Sequence, residues 1–183
     1  MSFDIGSGYL EEVFRGLRGH KRLADDAMAQ LSDQEFFAFP GAESNSVAIL
    51  VKHIAGNLRS RFTDFLTSDG EKPDRNRDQE FVADANATRG EILQAWERQW
   101  QLVFDTIQSL QPEDLGRTVT IRNQPHSVLQ ALNRTVMHLA YHAGQIVFVA
   151  KYWKGADWTS LSIPKGQSEQ VNARMRERYK NPT

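Results

Sequence analysis

Two histidines stand four residues apart in a helical stretch of the chain. His138 and His142 belong to the run HLAYH, and in a helix this spacing puts both imidazoles on one face with their Cβ atoms about 5–6 Å apart, near enough to bind one ion. A third histidine, His53, lies in another predicted helix, one turn before Asn57. If the two helices are neighbours, the three imidazoles form a site with open positions, which is typical of catalytic zinc and accessible to nickel. The alternative is three unrelated histidines at the surface or at the core boundary.

The residues around the histidine pair restrict the chemistry. In metalloproteases with the pattern HExxH, the glutamate after the first histidine is the general base, but here that position is Leu139 and no carboxylate neighbours either histidine. A thermolysin-like peptidase is therefore disfavoured. Three neutral imidazoles leave the charge of a divalent ion uncompensated, which lowers the pKa of a bound water or thiol. We expect hydrolysis or thiol transfer, and because the chain has no cysteine, any thiol must come with the substrate.

The position of the pair on its helix predicts a cleft. Counting about 100° per residue, the two histidines lie nearly opposite an apolar stripe and in line with Arg134, Tyr141 and Gln145. The rest of the helix is largely apolar, so we interpret the polar stripe as the wall of a cleft; the alternative is a solvated face. The apolar stripe consists of Leu129, Leu132, Val136, Ala143, Ile146 and Val147.

Other polar residues are weaker candidates. Asn57, Tyr141 and Gln145 are candidates to support a ligand histidine or contact a substrate, and Arg59 or Arg134 to hold an anionic group. More generally, arginines here are expected to pair with nearby acids rather than with a ligand. That expectation pairs Arg59, Arg61, Arg75 and Arg77 with Asp64, Asp69, Asp74 and Asp78.

The spacing of apolar residues predicts four long helices that must position these side chains. They run from about Tyr9 to Leu31, from a cap at Asn45 or Ser46 to about Leu66, from about Thr88 to Leu110, and from Ser127 to about Lys154. The third carries Trp96 and Trp100, expected in the core, whereas His20 and His126 are expected to be structural.

The connections between the helices differ in character. Residues Arg117–Ile121 alternate polar and apolar side chains, which favours a short strand or extended linker, and Gln167–Tyr179 is a possible fifth helix. The loop Thr67–Asn86 looks too polar to bury and too long for a simple connection. Such a loop is either a functional lid or a solvated crossover.

Composition excludes several classes of protein. The 183 residues include 40% apolar and 25% charged side chains, with 22 basic against 23 acidic residues. This balance argues against a disordered chain and gives no electrostatic footprint for nucleic acid. No apolar run approaches the roughly 20 residues that span a bilayer, and the N-terminus does not resemble a signal peptide. We expect a cytoplasmic, all-α protein with one four-helix-bundle domain over residues 1–183.

The arrangement resembles the DinB-like superfamily. The resemblance lies in the histidine of the second helix, the HxxxH of the fourth, and the length of the bundle. The segments HIAGNLRSR (53–61), DGEKP (69–73), RDQEF (77–81) and HLAYHAGQ (138–145) look like one uncharacterised subfamily. That superfamily includes bacterial metal-dependent hydrolases and thiol transferases that use bacillithiol or mycothiol. The resemblance implies an up-down-down-up bundle, a metal triad at His53, His138 and His142, and a homodimer.

Two function hypotheses follow. The first is a metal-dependent hydrolase or thiol-S-transferase that acts on a small molecule, with zinc or nickel as the cofactor and a low-molecular-weight thiol as a possible second substrate. The second is a non-catalytic, stress-related helical dimer or binding module in which the metal is structural or absent. Neither hypothesis involves nucleic acid or a membrane.

Overall fold

A computed structural model describes residues 4–180 of the protein. Four long helices form an all-α bundle: α1 (Ile5–Ala29), α3 (Val47–Phe62), α4 (Arg89–Ser109) and α5 (Val128–Lys154). Shorter elements are α2 (Asp33–Phe37), α6 (Ser168–Arg178) and a hairpin of β1 (Thr118–Ile121) and β2 (Gln124–Ser127). Within the described residues, no helix is both long and apolar enough to cross a membrane.

The predicted starts of the long helices are confirmed by their caps. The hydroxyl groups of Ser46, Thr88 and Ser127 each accept a hydrogen bond from a backbone N–H in the first turn of α3, α4 and α5. The first helix begins earlier than predicted, after a cap by Asp4. The second ends at Phe62 rather than near Leu66, and α2 was not predicted.

Contacts between the helices give their directions. The hydroxyl of Tyr9 donates to the carbonyl of Leu129, and Gln30 bonds the backbone of Thr159, so α1 and α5 run parallel. The early α4 residue Arg89 donates to the carbonyl of Leu31, just past the end of α1, so α4 runs antiparallel to α1. Asn45, just before α3, borders a cavity together with Gln145, which lies in the second half of α5. Helix α3 therefore runs antiparallel to α5. The order is therefore up-down-down-up, as the resemblance implied.

The core lies between the four long helices. Its largest fully buried side chains are Trp96 and Trp100, as expected, and Trp96 Nε1 donates to Asp25 Oδ1 at 2.8 Å. Each fully buried large apolar side chain contributes about 1.5–3 kcal/mol. In contrast, α6 has no buried residue, so the core does not depend on it.

The predicted extended segment is one half of a hairpin. Strand β1 pairs antiparallel with β2, with Thr118 opposite Ser127 and Ile121 opposite Gln124. The two turn residues, Arg122 and Asn123, both have positive φ (56° and 61°), which matches the two-residue turn that suits the strand twist. The second strand was missed because its sequence, QPHS, contains proline and lacks apolar alternation.

The polar loop after α3 is fixed to this hairpin, contrary to the expectation that it is too polar to bury. Gly70 is buried; its N–H donates to the carbonyl of Thr120 at 2.8 Å, and its carbonyl accepts from Ser60 Oγ at 2.8 Å. The carboxylate of Asp69 accepts from the backbone N–H groups of Arg122 and Asn123 at 2.9 and 2.8 Å. Loop and hairpin therefore form one wall at the side of the bundle.

The carboxylate of Asp69 is expected to make the stability of this wall depend on pH. Burial alone would raise the pKa of Asp69, but the hydrogen bonds from the backbone N–H groups of Glu71, Asn123 and Arg122 hold it far below its usual value. A lowered folded-state pKa stabilises the protein above the unfolded pKa, near 4, and this contribution is lost as pH falls through the folded value.

Asp69→Asn should therefore lower the free energy of unfolding at pH 7 by about 1–2 kcal/mol, the usual cost of losing a charged acceptor for backbone N–H groups. Urea unfolding followed by circular dichroism measures this loss, and the difference from the wild type should shrink below pH 4. Asp64→Asn is the control, because Asp64 is exposed and makes no side-chain hydrogen bond among residues 4–180. An equal loss in both variants, or a loss independent of pH, would contradict the assignment.

Candidate metal centre

Three histidines from two helices meet in one place. His53 lies in the middle of α3, and His138 and His142 lie one turn apart on α5. One ring nitrogen from each lies within 4.8 Å of the other two, and the Nε2 atoms of His138 and His142 are 3.1 Å apart. The ring of His53 lies 5.5 Å from that of His138 and 4.9 Å from that of His142. The structure thus brings together the three residues that the spacing and the resemblance singled out.

The histidines do not lie opposite the buried face of α5, as the helical count predicted. His142 is 8% exposed and shares the buried face with Thr135, Leu139 and Ile146, while His138 is half-buried beside it. Leu129, assigned to the apolar stripe, is exposed. The count misplaced the centre of the buried face because it included the exposed Leu129 and left out the buried Leu139, and the helix also buries a polar patch. The predicted cleft beside the two histidines is confirmed by the cavity that they border.

A buried carboxylate fixes the orientation of His53. Oε2 of Glu80, on the loop after α3, lies 2.8 Å from His53 Nδ1. Because an ionised carboxylate only accepts hydrogen bonds, Nδ1 donates, and the lone pair of the neutral ring is on Nε2. This arrangement, in which a carboxylate holds the far nitrogen of a histidine, is the usual support of a metal ligand.

Glu80 is itself held by an arginine. Arg75 donates from Nε to Oε1 at 2.9 Å and from Nη2 to Oε2 at 3.0 Å, and its side chain is only 3% exposed. Burial alone would raise the pKa of Glu80, but the hydrogen bonds from His53 and Arg75 keep it below its usual value. The carboxylate is therefore ionised at neutral pH, and the pair of arginine and glutamate anchors the histidine.

Gly56 makes room for this carboxylate. It lies on α3 one turn after His53, and a Cβ added there would overlap Oε1 of Glu80 and lie 2.8 Å from its Cδ. A helix-interior glycine costs roughly 0.5–1 kcal/mol relative to alanine. Here the missing side chain is what lets Glu80 approach α3 closely.

His142 is oriented by its own helix. Its Nδ1 lies 2.7 Å from Oε1 of Gln145, one turn later, so the amide oxygen accepts and the Nε2 atom turns towards His138. The ring of Tyr141 packs edge-on against His142 at 4.9 Å. Among the predicted supporting residues, Gln145 and Tyr141 therefore contact a histidine, whereas Asn57 makes no side-chain hydrogen bond within residues 4–180.

The protonation states suit metal binding. Burial lowers the pKa of His138 to about 3, and repulsion from the other two imidazoles, when they are protonated, and from Arg61 and Arg75 acts in the same direction. Burial also lowers the pKa of His142, and this effect outweighs the opposing effect of the hydrogen bond that His142 donates to Gln145. Both rings are neutral at pH 7 and keep the lone pair that a metal ligand requires.

The histidines face a cavity of about 490 Å³. Its wall also holds Asn57, Tyr141 and Gln145, so all three predicted supporting residues border it. Arg134 borders it too, but Arg59 does not and instead pairs with Asp74 at 2.7 Å. The cavity wall includes five arginines and no acidic residue among the described ones: Arg61, Arg75, Arg77, Arg122 and Arg134.

Of the four arginines predicted to pair with aspartates, two do so and the other two pair with glutamates. The pairing of Arg59 with Asp74 is confirmed, and Arg77 lies 3.9 Å from Asp78. The other two contact glutamates: Arg61 bonds Glu71 at 3.1 Å, and Arg75 bonds Glu71 and Glu80.

Sequence reasoning missed Glu80 because it searched for carboxylates next to the histidines along the chain. Glu80 follows His53 by 27 residues. The signal available in the sequence was a loop too polar to be explained as a simple connection. His20 and His126 lie outside the cluster, as expected; His126 Nδ1 bonds the carbonyl of Gln124.

The buried ion pair that anchors His53 makes a testable contribution to stability. Glu80→Ala leaves the buried guanidinium of Arg75 largely uncompensated, so we expect a loss of about 3 kcal/mol in the free energy of unfolding. The exposed pair of Arg59 and Asp74 on the same loop is the control, and Arg59→Ala should cost less than about 1 kcal/mol. Urea unfolding of both variants measures the difference; equal losses would show that Glu80 is not an anchor.

Comparison with known proteins gives the family without a function. No curated protein matches the chain. The profile of a family described as "Protein of unknown function (DUF1572)" matches residues 4–167, which include the four long helices, the hairpin and all three clustered histidines. The chain therefore belongs to the DUF1572 family.

Proposed function

We propose that the protein is a metal-dependent enzyme of the DinB-like superfamily that acts on a small molecule. The observation that supports this most directly is the convergence of His53, His138 and His142 at a cavity. The up-down-down-up order of the helices agrees with the resemblance on which the superfamily assignment depends.

The donor atoms fit a small divalent ion. Tetrahedral ligands at 2.0–2.1 Å from zinc are about 3.3 Å apart, and the two Nε2 atoms on α5 are already 3.1 Å apart. Two of the three rings have their Nδ1 atoms occupied by Glu80 and Gln145. Imidazole donors with open positions favour zinc or nickel over magnesium or calcium.

The metal would supply positive charge that lowers the pKa of a water or thiol bound to it. The chain's own residues position the ligands and the substrate. Glu80 holds the ring of His53, Gln145 holds the ring of His142, and the cavity wall shapes the space beside them. Asn57 and the hydroxyl of Tyr141 are the proposed contacts for the substrate. No acidic side chain borders the described cavity, so the usual carboxylate general base of a metallopeptidase has no counterpart here.

The two reactions that this arrangement favours are hydrolysis and transfer of a thiol to an electrophile. Both need a nucleophile that loses a proton near neutral pH, and the protein has no cysteine to provide one. In the transfer reaction, a low-molecular-weight thiol would enter the same cavity. We further propose a cytoplasmic protein and a homodimer, with the exposed Met137, Phe148 and Tyr152 of α5 at the dimer contact.

Metal binding tests the site assignment. Purified, tag-free protein loaded with zinc or nickel and desalted should hold about one ion per chain by elemental analysis. His53→Ala, His138→Ala and His142→Ala should each lose stoichiometric binding and stay helical by circular dichroism. His126→Ala is the control and should keep the ion, because it lies outside the cluster. Full occupancy in a His138→Ala, His142→Ala double variant would contradict the assignment.

The support from Glu80 predicts a graded effect. Glu80→Gln keeps the shape of the side chain but removes its charge, so the affinity for zinc should fall about 10- to 100-fold, as for other residues that orient metal ligands. Glu71→Gln is the matched control, since Glu71 bonds the same Arg75 but no histidine. Competition with a fluorescent chelator measures both affinities; equal changes would indicate a general effect of loop charge.

Turnover separates the proposed reactions. The metal-loaded protein should consume small ester or amide substrates without additives if it is a hydrolase, and halogenated or epoxide electrophiles only with an added thiol if it is a transferase. His138→Ala should abolish either activity. If the loaded wild type transforms neither class, while removal of the metal lowers the melting temperature, the protein is a binding module with a structural metal.

A further inference from the structure

The cavity wall has more positive charge than its partners neutralise. Five arginines border the cavity, and their close carboxylate partners are mainly Glu71 and Glu80. One oxygen of Glu71, Oε2, contacts Arg61 at 3.1 Å, Arg75 at 3.4 Å and Arg122 at 3.1 Å. A single carboxylate oxygen shared by three guanidinium groups leaves a net positive field at the cavity.

Two of the five arginines have little or no pairing. Arg134 makes no hydrogen bond or ion pair with any residue in the range 4–180, although it lies one turn before His138 on the same helix. Arg77 has only a distant partner, the exposed Asp78 at 3.9 Å. Its guanidinium instead lies 5.0 Å from the ring centroid of Phe81, where a cation–π contact holds it without neutralising it.

Both arginines lie close to the histidines, Arg77 through packing and Arg134 through its position on α5. The ring of Phe81 packs against His53 with 4.6 Å between centroids, so Arg77, Phe81 and His53 form one continuous surface of the cavity. Arg134 and His138, four residues apart in α5, are about 5–6 Å apart at Cβ. Cations therefore flank the three histidines on the loop side and on the helix side.

Guanidinium groups bind planar and tetrahedral oxyanions through two parallel hydrogen bonds. Arg77 and Arg134 are both exposed, so their guanidinium groups are open to an anion that enters from solvent. A cavity of about 490 Å³ is at the small end of the range for ligand sites. Clefts lined by one sign of charge also concentrate ligands of the opposite sign.

We propose that the cavity takes small organic anions, with a carboxylate or phosphate group bound by Arg134 on the helix side or by Arg77 on the loop side while another group of the same molecule faces the three histidines. This inference rests on the proposed function and names its substrate class. It also assigns Arg134 the anion-binding role for which Arg59 was an equal candidate on sequence grounds, because Arg59 lies outside the cavity and pairs with Asp74.

Isothermal titration calorimetry on the metal-loaded protein tests this assignment. The probes are succinate, which has two carboxylates, inorganic sulfate, a tetrahedral dianion, and succinamide, the uncharged analogue of succinate. Succinate and sulfate should bind in low salt and weaken as salt is raised, and succinamide should not bind. Arg134→Gln should weaken both anions at least tenfold, and Arg77→Gln should add to that loss in the double variant.

Arg59→Gln is the matched control, because it removes the same charge from outside the cavity and should leave binding of both anions unchanged. Equal losses of anion affinity in Arg59→Gln and Arg134→Gln would show that only the net charge of the protein matters, and would overturn the proposal. Binding of succinamide as tight as that of succinate, or no binding of either anion, would overturn it too.

Elemental analysis of the same samples separates this inference from the proposed function. Arg134→Gln should keep its metal, so a loss of anion binding there is not a loss of the metal site. If the wild type takes up no metal but binds sulfate through Arg134, the anion site stands and the metal-dependent function fails. If the metal binds at the histidines but Arg134→Gln leaves anion binding unchanged, the metal site stands and the anion site is wrong.

Discussion

The candidate site depends on one buried interaction, the carboxylate of Glu80 between His53 and Arg75. A guanidinium and a carboxylate that are almost fully buried are costly to remove from water, and only good geometry offsets that cost. Here the geometry is supplied by two hydrogen bonds from Arg75, one from His53, and the absence of a side chain at Gly56. The loop after α3 is held in place by these hydrogen bonds of Glu80 as well as by its contacts with the hairpin.

The same interaction explains how a polar segment lines a site in a helical bundle. The four long helices contribute the apolar core, and two of them place three imidazoles side by side. The loop and hairpin close one side of that space through hydrogen bonds that the Asp69 carboxylate accepts and the Gly70 N–H donates. Because the loop neutralises only part of the cavity's positive charge, the wall stays cationic around the three imidazole rings. The arginines that form the structural ion pairs with Glu71 therefore also line the cavity proposed to bind a ligand.

Much of this architecture was predictable from the sequence, since the long helices have clear apolar periodicity and their starts at Ser46, Thr88 and Ser127 have good caps. The histidine pair followed from its spacing, and His53 from the assumption that two helices are neighbours. Partners distant along the chain were not predictable: Glu80 and Arg75 meet His53 only after the loop folds back. The centre of the buried face of α5 was misplaced because its polar part, with Thr135 and His142, has no signal in apolar periodicity.

We propose that three imidazoles, held in place with the help of Glu80 and Gln145, form the ligand set of one divalent ion. X-ray absorption spectroscopy of the zinc-loaded protein tests it most directly, because the extended fine structure reports the type, number and distance of the ligand atoms. We expect three histidine nitrogens at about 2.0–2.1 Å with one or two further light atoms. A shell made of oxygen atoms alone, without the outer scattering of imidazole rings, would contradict it.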